Sequence, residues 1–406
     1  MSTTRPKGLQ ENPAVDSIVW DETGVLGDPV IETHQGDVSV RLGRFSQGIS
    51  DGVAVVRIDT GEIIVWVLPT RGMAIWKIES AGLTYGWESP VGEAPVHPMH
   101  VPLQQADGIG WLCGFNELLT RCGMQSNGAV EFDENDRLRY PLHGRVGNLP
   151  AGSISIDYDS ASGRVDLIGH VVESQMFVKR LHLRSRVRVY AGGRDVEILD
   201  DVSGELSTPQ TMQMLYHINI GSPILEENAR IVAPIARLTP KDDHAAQDMT
   251  SDTATASGNA DDWSRIPAPT TGYSERVFFV EPQADDGDRT RIMLKNADGD
   301  AGMGISYGTK QLPHFVVWKN PGAIADGYVV GLEPATNLPN RHSFEKQHGR
   351  VVMLEDDTPY AIRLTLHVLN NAESVSAFED QIKLLGDGVE SQIDLQPDPE
   401  LTELSS

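Results

Sequence analysis

Three separate segments of the sequence carry side chains that can move protons, and the first is built around Glu333. This residue follows an apolar run, residues 328–332, and stands directly before a proline. A carboxyl group at the end of a buried strand is held rigidly and is partly desolvated. Desolvation raises its pKa and makes it a usable base near neutral pH. The alternative is a glutamate that caps a loop.

The second segment places a histidine and an asparagine on one face of a strand. His217 and Asn219 lie two residues apart within residues 214–221, so a strand directs both side chains to the same side. On a strand that is otherwise apolar, both groups need polar partners. A ligand or a neighbouring loop can supply those partners.

The third segment, residues 141–150, packs His143, Arg145 and Asn148 between glycines and prolines. Small residues let a ligand approach the backbone, although a plain polar turn would have the same composition. Together the three segments supply two imidazoles and a carboxylate, which suits proton transfer on a polyhydroxylated substrate. Arginine and asparagine side chains would then hold hydroxyl groups, and tryptophan would stack on a sugar face.

The elements that must position these groups are predicted to be short antiparallel strands. Residues 53–58 and 63–68 are rich in β-branched side chains and flank a turn, which is typical of a hairpin. Residues 153–199 alternate between polar and apolar and predict a meander with one wet face. Further strands recur over residues 211–368, without βαβ alternation or a phosphate-binding glycine motif. The pattern predicts an all-β fold, a large antiparallel β-sandwich.

Three regions divide the chain. Residues 1–30 are predicted to be a loosely ordered N-terminal extension, and residues 31–370 the β-sandwich domain. Residues 371–406 are predicted to be a short helix followed by an acidic tail without stable structure. Within the domain, residues 79–130 are expected to be ordered loops over a sheet, and residues 240–275 an exposed insertion.

Charge and composition exclude several classes of partner. The chain has 33 basic and 58 acidic residues, a net charge of −25, so nucleic acid and anionic membranes are not expected partners. Its two cysteines, Cys113 and Cys122, have no CxxC spacing, which predicts neither a disulfide framework nor a cysteine zinc site. With no long apolar run and no apolar signal core, we expect a soluble cytoplasmic protein. A homodimer is compatible with the sequence.

Taken together, these motifs resemble the galactose mutarotase-like (aldose 1-epimerase) superfamily, and most closely its bacterial branch known only as a domain of unknown function. The resemblance runs from about residue 68 to residue 368 and rests on the order and number of its segments. Those segments are Leu68-Pro-Thr-Arg-Gly-Met73, Gly110-Trp-Leu-Cys-Gly-Phe115, Leu118-Leu-Thr-Arg-Cys-Gly-Met124, Leu142-His-Gly-Arg145, Tyr216-His-Ile-Asn219, Val317-Trp-Lys319 and Gly331-Leu-Glu-Pro-Ala-Thr336.

The resemblance implies a large β-sandwich whose sugar substrate opens its ring, rotates at C1 and closes again. It implies Glu333 as the base for the anomeric hydroxyl, His217 as the acid for the ring oxygen, and His143 as an assisting histidine. It requires no metal or other cofactor. The side chains expected to contact the sugar are Arg71, Arg121, Arg145, Asn219, Trp318 and Lys319.

The sequence also departs from the family. The family's hydroxyl-binding aspartate has no match, because Asp242 and Asp243 lie in the variable insertion. Arg145, Trp318 and Lys319 look like features of the branch. They leave open an oxidised or acidic sugar, or another proton transfer on the sugar.

Two other functions stay open at this point. A metal-dependent sugar isomerase or lyase would use His97 and His100, with His143, His217 or Glu333 completing the ligand shell. No compact ligand cluster stands beside the first two histidines. A non-catalytic sugar-binding protein would keep the pocket and lose the chemistry, although the presence of all three proton-handling side chains argues against it.

Overall fold

The computed structural model describes residues 13–21, 30–249, 263–355, 358–388 and 390–403. The strands, in chain order, are β1 (Ile18–Trp20), β2 (Val30–Thr33), β3 (Gly36–Phe45), β4 (Ala54–Asp59), β5 (Ile64–Leu68), β6 (Ala74–Ser80), β7 (Leu83–Tyr85), β8 (Leu119–Met124), β9 (Glu131–Phe132), β10 (Leu138–Tyr140), β11 (Ser153–Asp159), β12 (Arg164–Gln175), β13 (Lys179–Tyr190), β14 (Asp195–Gly204), β15 (Thr211–Gly221), β16 (Arg230–Val232), β17 (Ile235–Pro240), β18 (Arg276–Pro282), β19 (Arg289–Lys295), β20 (Gly302–Gly308), β21 (His314–Pro321), β22 (Tyr328–Ala335), β23 (Val352–Met353), β24 (Tyr360–Leu369) and β25 (Gln392–Ile393). The α-helices are α1 (Pro13–Asp16), α2 (Asp243–Ala246), α3 (Ile324–Gly327), α4 (His342–Gln347) and α5 (Ala372–Gly386).

Two large sheets pack face to face. The larger sheet runs β1-β3-β4-β5-β6-β8-β15-β22-β21-β18-β17-β25, with β2 paired to β3, β7 to β6 and β23 to β15. The smaller sheet runs β11-β12-β13-β14-β24-β20-β19-β16, and β9 and β10 form a separate hairpin. Pairing is antiparallel throughout except for the parallel contact of β25 with β17. The predicted all-β antiparallel sandwich is confirmed.

Alternation along the strands builds the core between the sheets. On β13, the apolar residues Leu181, Leu183, Val187 and Val189 are buried in the main hydrophobic cluster. Each such side chain contributes about 1.5–3 kcal/mol by leaving water. The intervening arginines form ion pairs on the other face, as Arg188 does with Asp166 at 2.7 Å. The meander is therefore present with the predicted wet face.

The structure describes part of the N-terminal extension and all of the predicted C-terminal helix. Residues 1–12 and 22–29 of the predicted N-terminal extension lie outside the described residues, whereas β1 pairs with β3. Helix α5 covers the predicted C-terminal helix and begins at the cap Asn371, whose side chain accepts from the backbone N–H of Ser374.

The C-terminal segment corrects the expectation of an unstructured acidic tail. Strand β25 pairs with β17, and Arg237 of β17 binds Asp394 at 2.7 Å and Asp398 at 2.5 Å. Further along, the backbone carbonyl of Leu401 accepts a hydrogen bond from the side chain of Asn340. The acidic groups are thus compensated by partners far away in sequence, which composition alone cannot reveal.

The centre of the larger sheet has two different faces. Tyr216, Ile218 and Leu332 of β15 and β22 pack into the main core between the sheets. The residues that alternate with them point away from the smaller sheet, where Leu215 and Ala335 join a separate aromatic cluster. Because this outer face does not pack against the smaller sheet, its polar residues can form a functional site. None of the helices in the described residues combines the length and hydrophobicity that crossing a membrane requires.

Candidate active site

His217 and Glu333 face each other from neighbouring strands at the centre of the larger sheet. Strands β15 and β22 pair with Ile218 opposite Leu332, and the next step of this register sets His217 opposite Glu333. Nε2 of the imidazole lies 3.1 Å from Oε1 of the carboxyl group, and both side chains are buried. We call these two residues the acid–base pair.

Asn219 determines which nitrogen of His217 carries the hydrogen. The Asn219 amide nitrogen donates to the carbonyl oxygens of Glu117 at 2.9 Å and of His217 at 3.3 Å, so its Oδ1 acts as an acceptor. Nδ1 of His217 lies 2.6 Å from this Oδ1 and therefore carries a hydrogen. Nε2 is left with a lone pair directed at Glu333.

Burial gives the acid–base pair one mobile proton. Burial raises the pKa of Glu333 well above its ordinary value of 4.5, and the charge of Glu275 raises it further. Burial lowers the pKa of His217 well below 6.5, and the neighbouring His143 lowers it further. Burial thus favours a carboxylic acid beside a neutral imidazole, and in that state the acid O–H can donate to Nε2. Among the described residues, Oε1 has no other hydrogen-bond partner.

Aromatic rings surround the pair. The ring centroid of His217 lies 4.9 Å from that of Phe115, 5.4 Å from that of Trp318 and 6.1 Å from that of Trp111. These rings displace water, so that electrostatic interactions inside the site are stronger than in bulk solvent. Trp111 and Phe115 are buried, whereas Trp318 is partly exposed and can present a ring face to a ligand.

His143 reaches the pair from a tight loop. Its backbone φ is 57°, and Gly144 follows, where a Cβ would lie 2.1 Å from the carbonyl oxygen of Ser126. Nδ1 of His143 lies 2.9 Å from the carbonyl oxygen of Asn127 and donates to it, which leaves Nε2 as an acceptor. The rings of His143 and His217 are 5.6 Å apart. Burial lowers the pKa of His143 to about 4, so this ring is neutral near pH 7.

Residue 331 must be a glycine, because the acid–base pair occupies the position that a side chain would take. A Cβ on this residue would lie 2.5 Å from Oε1 of Glu333 and 3.0 Å from Cε1 of His217. Thr120 of β8 lies opposite His217 of β15. The buried hydroxyl of Thr120 has no hydrogen-bond partner among the described residues. Buried polar atoms of this kind are costly unless a water or ligand binds them.

Of the predicted contact residues, Trp318 and Arg145 remain available to a ligand. Trp318 lies against the pair, and its indole Nε1 donates to Oε2 of Glu275 at 2.7 Å. Arg145 is exposed two residues after His143, and its guanidinium makes no hydrogen bond or ion pair within the described part of the chain.

The structure does not bring Arg121 or Lys319 to the pair. Arg121 lies fully buried between the sheets, where its Nε is 2.6 Å from Asp200 and its other nitrogens bind Ser185 and backbone carbonyls. Lys319 alternates with Trp318 and so points to the opposite face of β21, with Nζ 3.0 Å from Asp248. Adjacent residues on a strand point to opposite faces, so Trp318 and Lys319 cannot both contribute side chains to one site.

Arg71 and Asn219 act on the pair through other groups. The Arg71 guanidinium donates to the Glu117 carboxylate and to the carbonyl oxygen of Gly114, both at 2.7 Å, and also binds Asn148. These contacts anchor the loop that carries the aromatic rings. The amide of Asn219 is fully engaged by His217 and backbone carbonyls, so it positions the imidazole and has no group left for a sugar.

Two charged residues of the predicted insertion lie near the pair and were missed. Lys241 and Glu275 both act electrostatically on Glu333 and His143. The sequence carries no signal for them, because their place depends on the register of β17 and β18. Asp242, which lies in the variable insertion, caps α2 and accepts a hydrogen bond from the backbone N–H of Ala245 at 2.8 Å.

Over the ranges that the structure describes, no group of three or more His, Cys, Asp or Glu side chains could hold a metal ion. The rings of His97 and His100 are 6.5 Å apart.

Comparison with known proteins supports the fold and identifies relatives. The sequence profile of a domain of unknown function (DUF4432) matches residues 50–368. No curated protein matches the chain. Among solved structures, a "putative aldose 1-epimerase" from Klebsiella pneumoniae subsp. pneumoniae MGH 78578 shares 28% identity over 94% of both chains, with a TM-score of 0.82. A galactose mutarotase-like protein from Clostridium acetobutylicum shares 12% identity over 82% of this chain and 98% of its own, with a TM-score of 0.55. The predicted galactose mutarotase-like fold is confirmed.

Proposed function

The chain belongs to the DUF4432 family, a domain of unknown function, and from that premise we propose that it is a carbohydrate-active, aldose 1-epimerase-like enzyme. In this proposal it interconverts the two anomers of a sugar by general acid–base ring opening. The observation that carries the proposal is the contact between Glu333 and His217, a buried carboxyl group and a buried imidazole 3.1 Å apart.

The reaction needs an acid and a base close together. The anomeric hydroxyl and the ring oxygen of an aldose are bonded to the same carbon, C1, so adjacent groups on the enzyme can reach both. A proton shift from Glu333 to Nε2 of His217 produces a carboxylate and an imidazolium. These are the base and the acid, and each such group typically contributes about 10²–10⁴-fold to a rate.

Proton transfers then open and close the ring. The carboxylate of Glu333 takes the proton of the anomeric hydroxyl, and Nε2 of His217 donates its proton to the ring oxygen. The bond from C1 to the ring oxygen breaks while a carbonyl forms at C1. Rotation about the C1–C2 bond presents the other carbonyl face, and the reverse transfers close the ring as the other anomer. The pair ends with the number of protons it had at the start.

Other side chains would hold the sugar. Trp318 offers a ring face, and Nε2 of His143 can accept a hydrogen bond from a hydroxyl group. The free hydroxyl of Thr120 can bind another. Arg145 at the rim remains a candidate contact. The substrate in this account is a small free sugar or sugar derivative, and no step requires a metal ion.

Anomer exchange measured by saturation-transfer NMR tests the proposal. A panel of neutral aldoses, uronic acids and sugar phosphates is incubated with the protein before and after treatment with a chelator. We expect faster exchange for at least one class, unchanged by the chelator. Exchange lost on chelation would instead support a metal-dependent enzyme. Sugar binding without faster exchange would support a non-catalytic binding protein.

A further inference from the structure

Lys241 lies in the same cross-strand row as the residues beside the acid–base pair. It directly follows β17, and its backbone N–H donates to the carbonyl oxygen of Val277 at 2.9 Å. Val277 pairs with Trp318, and Trp318 pairs with Gly331. Residues opposite each other on antiparallel strands point to the same face. Lys241 is therefore on the site face, three strand spacings or about 14 Å from Gly331 along the row before its long side chain is counted.

The ammonium group of Lys241 has no partner within the described part of the chain. The lysine is half-buried, and its side chain makes no hydrogen bond or ion pair there. On the opposite face of the same strands, Arg276 and Lys319 both bind Asp248. In a chain with 58 acidic residues, a half-buried ammonium group that has no partner among the described residues and lies beside a polar site is suited to bind an anion.

A second charged group limits what kind of anion fits. Glu275 lies on the same face two residues before Val277, and its carboxylate is held by the indole N–H of Trp318 at 2.7 Å. A ligand on Trp318 thus meets one ammonium group and one carboxylate. A phosphate dianion would be repelled by the carboxylate and compensated by a single cation. A monoanionic carboxylate can pair with Lys241 while the hydroxyl groups of the sugar donate to Glu275.

We propose that Lys241 binds the carboxylate of a sugar acid, so that this site takes hexuronic acids in preference to neutral aldoses. This inference rests on the proposed function, since it names the substrate class of the same site. The acid–base pair acts at C1 of the sugar, and Lys241 pairs with the C6 carboxylate at the other end of the ring. Trp318 lies between these two ends.

The test compares each uronic acid with its own neutral amide. Glucuronate and galacturonate are assayed beside glucuronamide and galacturonamide, which have the same ring without the charge; galactose and glucose 6-phosphate complete the set. We expect kcat/KM for anomer exchange to be about ten- to a hundredfold higher for the uronates. Lys241→Met should bring the ratio of kcat/KM between uronate and uronamide close to one, mainly through a higher KM for the uronates, and Lys241→Arg should retain the preference.

A matched control removes the same charge elsewhere. Lys310 is exposed, and its Nζ pairs with Asp288 at 2.6 Å, outside the row that contains the site. Lys310→Met should leave every substrate unaffected. Equal rates on uronate and uronamide, a preference for the phosphate, or an unchanged preference in Lys241→Met would overturn the inference and leave the epimerase proposal intact.

A binding measurement separates the two proposals if no sugar shows faster exchange. In that case the epimerase proposal fails, and uronate binding is followed by saturation-transfer-difference NMR. Binding that is lost in Lys241→Met and kept in Lys310→Met would still support the carboxylate site. An absence of uronate binding by the wild type would overturn it.

Discussion

Nε2 of His217 lies 3.1 Å from Oε1 of Glu333, and burial favours the uncharged form of each group. With ordinary pKa values of 4.5 and 6.5, a glutamate and a histidine would share a single proton only between those values. Because burial raises the pKa of Glu333 and lowers that of His217, it shifts the single proton of the pair from the imidazole toward the carboxyl group.

The first prediction follows for the pH dependence of anomer exchange. Lowering the pH protonates His217, which leaves no base, and this acid limb should lie below pH 6.5. Raising the pH removes the proton from Glu333, which leaves no acid, and this alkaline limb should lie well above pH 4.5. The enzymatic rate, corrected for the buffer-catalysed rate, should therefore form a plateau between these two limbs. An acid limb at or above pH 6.5, or an alkaline limb at or below pH 4.5, would contradict the account.

A methyl group at residue 331 should interfere with the chemistry directly. In Gly331→Ala the new Cβ would lie 2.5 Å from the carboxyl oxygen of Glu333, so the carboxyl group must move. A displacement of this size typically costs about 10²-fold in rate. We expect kcat to fall by about that factor.

Gly322→Ala is the matched control, since a Cβ there has no neighbour closer than 3.7 Å. In steady-state exchange kinetics, kcat of this control should be close to that of the wild type. Normal kcat in Gly331→Ala, with the fold verified by circular dichroism, would mean that the carboxyl group acts from a different position.

Removing Arg121 should affect stability and not substrate binding. Its guanidinium forms a fully buried ion pair with Asp200, which also accepts from the hydroxyl of Tyr216 at 2.8 Å. Arg121→Met leaves an uncompensated buried carboxylate, which should lower the free energy of unfolding by about 3–5 kcal/mol. Urea denaturation measures this loss. A raised KM with unchanged stability would show instead that Arg121 contacts the sugar.

Local patterns predicted most of the fold. The alternation in β13 and the turn between β4 and β5 fix strand identity, because each residue's environment repeats every two positions. The C-terminal segment was beyond such reasoning. Its order depends on Arg237, more than 150 positions away in the chain from Asp394 and Asp398.

The candidate site was predicted in part. The sequence singled out Glu333 and His217 as polar groups on apolar strands and His143 as part of a turn rich in glycine and proline, and the structure brings the three side chains together. Lys241 was missed, since its neighbourhood depends on the register of β17 against β18. Lys319 was expected at the site, but strand alternation directs it to the opposite face from Trp318.

The most direct test of the central claim is anomer exchange by Glu333→Gln, followed by saturation-transfer NMR on the best substrate of the wild type. The amide keeps the shape of the carboxyl group but cannot exchange a proton with His217. The account predicts a fall of about 10²–10⁴-fold, while Glu281→Gln, the same change at an exposed position of β18, retains the wild-type rate. Exchange by Glu333→Gln at the wild-type rate would contradict the claim that Glu333 is the base.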